Sequence, residues 1–194
     1  MHPHPSPILP DAEIIAATRH WLEKAVIGLN LCPFAKAVHV KNQIRYVVSR
    51  ASDQQSLCQD LLTELENLRA ADPAQVDTVL LIHPWVLTDF LDYNDFLDIA
   101  DAAVEELGLT GVMQIASFHP DYQFAGSAAN DMGNYTNRSP YPMLHLLREA
   151  SVESAVAAFP DAEKIFRRNI STLRRLGLDG WRALTEPESP SHDN

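Results

Sequence analysis

The chain has 194 residues, a net charge of −11, 46% apolar and 21% charged residues. This is the balance of a globular protein large enough to bury a core without disulfides or structural metals. The charge excludes a general nucleic-acid binder, which needs a Lys- and Arg-rich face, and speaks against an anionic membrane surface. It leaves room for a local basic pocket and a small anionic ligand.

Cys32 and Cys58 are too few for a disulfide framework. The opening residues MHPHPSPILPDAE lack the basic segment and long apolar run of a secretory signal. No stretch approaches the ~18 apolar residues of a bilayer span. The expectation is a cytoplasmic protein that uses neither nucleic acid nor membrane as a partner.

Residues 1–10 hold four prolines and read as a flexible N-terminal arm. Residues 11–185 read as a single α/β domain, and residues 186–194 as a disordered tail. Asp11 is placed to cap a first helix with Ile14, Trp21, Leu22, Ala25 and Leu29 on one face. Gly28 ends that pattern, and Pro33 turns Cys32 away from helical geometry. IRYVVS (44–49) reads as a strand. Ser52 with Gln55 resembles a capping box, before a helix carrying Leu57, Cys58, Leu61, Leu65 and Leu68. DTVLLIH (77–83) and GVMQIASF (111–118) read as strands buried on both faces. Between them a helix starts near Asn94 and stops at Gly108.

Residues 119–139 lose all periodicity and are dense in Asn, Asp, Gly and aromatics; a segment of this kind and length is often functional. Pro140 and Pro142 are expected to open a helix running through Glu149. Ser151 would cap a short helix ending near Phe159, and Asp161 another stopping at Gly177. The fold expected is α/β, with a small, mostly parallel sheet of three or four strands flanked by helices and a helical C-terminal third. A ferredoxin-like α+β arrangement is the alternative.

Both central strands end in His-Pro, at His83 and His119. In open parallel sheets ligands bind beyond the carboxyl ends of the strands, so these imidazoles would face one site. His119 is the first choice for a general acid–base, because an unperturbed imidazole titrates near neutral pH. His145 and Glu149, four apart on the expected helix, would share its face. With His83 and His119 they form a candidate metal set for Zn or non-haem Fe. Arg138, in the catalytic set with His83 and His119, would also bind the anion. Asn137, Tyr141, Asp131 and Cys32 complete the candidate ligand-binding set. Each also has a plain structural reading: a hydrogen-bonded histidine, a surface His/Glu pair, an internal arginine strut, a buried thiol.

GLNLCPFA (28–35), FHPDYQFAG (118–126) and NRSPYPMLHLLRE (137–149) together carry a likeness. Across most of its length the chain resembles a bacterial family known as domain of unknown function 1415. The resemblance implies a bacterial cytoplasmic protein and assigns no substrate, cofactor or catalytic residue. Two functions stay open: an enzyme acting on a small anionic substrate through a histidine-rich site at the carboxyl edge of the sheet, or a non-catalytic module binding a small ligand or a partner.

Overall fold

The computed structural model describes residues 9–158 and 162–185. Most of the expected arm, the tail, and the helix boundaries at Phe159 and Asp161 lie outside the described residues.

Helix α1 (Asp11–Trp21) widens into a π-helical stretch, Leu22–Ile27. It stops at Gly28, where an added Cβ would lie 2.2 Å from the Lys24 carbonyl oxygen. Helix α2 (Pro33–Val40) begins directly on its proline, with Cys32 extended before it. Strand β1 (Ile44–Val48) leads to α3 (Gln54–Ala70). The cap of α3 is Asp53, whose carboxylate accepts from the Ser56 amide at 2.8 Å, rather than Ser52. All five residues of β2 (Thr78–Ile82) are buried. Helix α4 (Phe90–Glu106) starts earlier than Asn94, because Asp89 accepts from the Leu91 and Asp92 amides. Strand β3 (Met113–Phe118) follows.

Residues 119–142 contain one 3₁₀ turn, Met132–Thr136. The next element corrects the sequence reading. Met143–Arg148 is not a helix but strand β4; α5 then runs Glu149–Ala158 and α6 Ala162–Thr185. By propensity MLHLLR suits a helix. It forms a strand because β2 and β3 each leave a ladder of amides and carbonyls open toward it, and tertiary pairing overrides local preference. Gly177 breaks α6 with φ 69° and ψ 175°, a conformation open to glycine.

The sheet order is β1-β2-β4-β3. Strands β1 and β2 are parallel neighbours, while β4 runs antiparallel to both β2 and β3. The sheet is therefore mixed, not mostly parallel. Helices cover both faces, and the parallel β1–β2 pair sits at one edge, which also sets the fold apart from a ferredoxin-like arrangement. Leu57, Leu61, Leu65, Phe96 and Ala100 of α3 and α4 pack with Val79, Leu81, Leu144 and Leu146. Ile14, Trp21, Leu22 and Leu173 pack on the opposite face with Leu80, Ile82 and Met143. Among the described residues no helix is long and apolar enough to cross a membrane.

Candidate functional site

Strands β2 and β3 point the same way, so His83 and His119 do leave the sheet at one edge, with β4 between them. Their side chains turn onto the α4 face and meet Tyr93. Its ring lies 5.8 Å from His83 and 5.1 Å from His119, centroid to centroid. The Tyr93 hydroxyl donates to the Met143 carbonyl at 2.8 Å and accepts from the Phe118 amide at 3.0 Å, tying β4 to β3. Phe90 closes over His119 at 5.4 Å.

Both histidines are fully buried, at 0% exposure. The Asp121 amide donates to His119 Nδ1 at 3.0 Å, which leaves the proton on Nε2 to be donated to the Leu87 carbonyl. His83 donates from Nδ1 to the Val86 carbonyl at 3.0 Å, and its buried Nε2 has no partner. Burial holds the His83 imidazole down at about 4 and lowers His119 as well, so both rings are neutral at pH 7. His119 has both nitrogens committed to backbone, and neither ring reaches solvent. This is a structural knot that pins the ends of three strands and the turn at Leu87, which holds φ at 56°.

His145 does not join them. Because residues 143–148 form a strand, its side chain projects from the other face of the sheet, toward α1 and α2. The Thr78 hydroxyl donates to the Leu146 carbonyl, so its oxygen accepts from His145 Nε2 at 2.7 Å. Burial lowers this imidazole to about 4 as well. Glu149 is displaced too: it begins α5, and the extended residues between it and His145 rise roughly 3.3 Å each, so the two no longer stand one helical turn apart. The expected set of His83, His119, His145 and Glu149 is thus divided between two faces. Among the described residues, no three His, Cys, Asp or Glu side chains are grouped to hold a metal ion.

Cys32 and His145 line a small apolar cavity of about 40 Å³, walled by Trp21, Val26, Phe34 and Phe118. Burial pushes the Cys32 thiol up, against the pull of the Ala35 and Phe34 amides, which disfavours the thiolate a nucleophile needs.

The 119–142 segment is held by its own polar side chains. Asn137 donates from Nδ2 to the Ser117 carbonyl at 3.0 Å, and its backbone carbonyl accepts from the His119 amide at 3.2 Å. Asp131 accepts from the Gly133 amide and pairs with Arg174 at 2.9 Å. Those contacts hold its carboxyl below the usual range. Tyr141 packs into the α1 face, and its backbone carbonyl accepts from the Ser139 hydroxyl at 2.7 Å. These residues shape the segment.

Arg138 alone of the expected set both stiffens the segment and faces an open cleft. It donates from Nε to the Tyr122 carbonyl at 3.2 Å and from Nη2 to the Ala129 carbonyl at 2.9 Å. Its guanidinium stacks over Tyr135 at 4.3 Å. The cleft, about 280 Å³, lies between this segment, α1 and the last turns of α6. Its wall carries two guanidiniums, Arg138 and the exposed Arg182, and no described carboxylate. Tyr135 and Trp181, themselves in edge-to-face contact at 5.2 Å, provide the flat apolar sides. Trp21 also lines it, and the Trp21 indole N–H is buried without an acceptor. Sequence reasoning missed Trp21, Tyr135, Trp181 and Arg182. They stand up to 161 residues apart in sequence, and only the return of α6 across the segment brings them together; His20 helps fix that return by bonding the Leu184 carbonyl.

The fold and cleft define a mixed α/β protein with a basic, aromatic-walled pocket. Residues 13–183 match the model of the family described as "Protein of unknown function (DUF1415)", and the chain belongs to that family. No curated protein and no solved structure matches it.

Proposed function

We propose that this protein binds a small anionic molecule in the Arg138–Arg182 cleft, as a binding module rather than as an acid–base enzyme. The observation that carries this reading is the charge of the wall. In a chain of net charge −11, the cleft has two guanidiniums and no described carboxylate to neutralise them. An anion supplies the missing charge, and planar guanidinium donors suit a carboxylate or phosphate. The aromatic sides favour a ligand with a flat apolar part beside the anion. No described Asp, Glu, His or Cys lines the cleft to move a proton. The acid–base role expected of His119 has less support, since both its nitrogens are satisfied by backbone.

Intrinsic fluorescence tests the reading, because Trp21 and Trp181 are two of the three tryptophans. Titration with phenyl phosphate and with benzoate is expected to give a saturable change. In Arg182→Gln the affinity should fall by about tenfold or more, as for loss of one charge-assisted contact. No saturable response to either probe, or an equal response in Arg182→Gln, removes the proposal.

A further inference from the structure

A second cleft, of about 490 Å³, lies between the C-terminal half of β1 with its following turn and one face of α3. Its chemistry is the opposite of the first. Asp53, Asp60 and Glu64 line it together with the hydroxyls of Ser49, Ser56 and Thr63. Arg50 is the one described cation in the wall, and it is engaged elsewhere, paired with Asp11 and stacked over Trp85 at 4.4 Å.

Glu64 points to a ligand. It is 7% exposed, a depth at which carboxylates are seldom left without full compensation. Its Oε1 accepts from Asn67 Nδ2 at 3.0 Å and has Arg45 at 3.5 Å. Its Oε2 is buried with no hydrogen-bond partner. One turn earlier on the same helix face, Asp60 accepts from the Ser49 hydroxyl at 2.6 Å, and that hydroxyl in turn accepts from the Ala51 amide at 3.1 Å. Asp60 is thus fixed in place before any ligand arrives, while Glu64 has one oxygen still to satisfy.

We propose that this cleft binds a small organic cation with two positive centres, an aliphatic diamine or an amino-guanidine, with one centre on Glu64 and the other on Asp60. A single metal ion fits less well, because no three carboxylate, imidazole or thiol groups among the described residues are grouped to hold one. Two carboxylates four apart on a helix stand about 5–6 Å from each other at Cβ, a spacing that a short alkyl chain between two cations spans. The hydroxyls of Ser49 and Thr63 accept the remaining N–H groups.

The test is isothermal titration of the full-length protein at low ionic strength with putrescine and with agmatine. Saturable one-to-one binding is expected. It should weaken about tenfold or more in Glu64→Gln and in Asp60→Asn, and stay unchanged in Asp101→Asn, an exposed α4 carboxylate outside the cleft. Thermal melts establish that each variant is folded, and the less buried Asp60→Asn decides the matter if Glu64→Gln is not. Absence of saturable heat with both probes overturns the proposal. So does an equal loss in Asp101→Asn, which would show diffuse attraction to an acidic surface.

Discussion

The histidine knot and the arginine cleft are both built on the 119–142 segment, and they have opposite characters. The knot gathers two imidazoles, a tyrosine and a phenylalanine at the carboxyl edge of the sheet, where ligands commonly bind, yet His83, His119 and Tyr93 are all at 0% exposure. Its bonds run from side chain to backbone and hold chain ends together. The cleft has no such signature in sequence, but its charge lies open and uncompensated. In the knot the titratable groups are sealed and bonded to backbone, whereas in the cleft the guanidinium charge faces a wall with no described carboxylate.

The sharpest way to test this contrast is acid. His83 and His145 are held at about 4 when folded, against 6.5 when unfolded. The unfolded chain therefore binds more protons between those values. The resulting stabilisation is fully present above pH 6.5 and is lost as pH falls toward 4, on the order of 3 kcal/mol for each histidine. The lowering of His119 acts in the same sense. Asp53 and Asp131 lie below 3.8 when folded, so their losses belong to lower pH. Urea midpoints at pH 7.5 and 4.5 should differ strongly, and a flat profile across that window would show that these rings are not held neutral in the fold.

Truncating the knot comes next. His119→Ala removes a buried ring and two backbone partners, for an expected loss of about 2–4 kcal/mol. Tyr93→Phe leaves the Phe118 amide and Met143 carbonyl without their shared hydroxyl and should cost about 1–3 kcal/mol. Chemical denaturation measures both, and phenyl phosphate binding should survive in each folded variant. If either variant loses binding while keeping its stability, the division between framework and cleft is wrong.

Arg182→Gln should do the reverse, lowering anion affinity while leaving the thermal midpoint unchanged, since Arg182 is exposed. A large fall in that midpoint would make Arg182 part of the framework. The smallest effect concerns the small apolar cavity beside Cys32. Iodoacetamide at pH 7.5 should modify Cys32 more slowly than a free thiol, because burial raises its pKa. Mass spectrometry of tryptic peptides reads the rate, and rapid labelling would show that the cavity opens.

Much of the element order was legible. The apolar runs at 44–48, 78–82 and 113–118 are strands, and the leucine stripe of 57–68 is buried as its spacing indicates. Gly28, Gly108 and Gly177 each mark a break. Residues 143–148 were misread because a leucine-rich stretch behind two prolines satisfies the pattern of a helix start, and nothing local says that two open strand edges await it. That one misreading carried the metal set with it: on a helix His145 and Glu149 are neighbours, whereas His145 lies on β4 and turns to the far face of the sheet, and Glu149 falls beyond the strand as the first residue of α5.

The sequence by itself determined where apolar segments lie, which residues punctuate them, that His83 and His119 end strands, and that Arg138 stands in an unusually polar segment. Those features depend on neighbours within a few positions of the chain. Tertiary structure alone decided that β4 runs antiparallel between β2 and β3, that the histidines are sealed while Arg138 is open, and that Trp21, Trp181 and Arg182 complete its cleft. Burial and uncompensated charge depend on residues brought together from distant parts of the chain, and no local pattern encodes them.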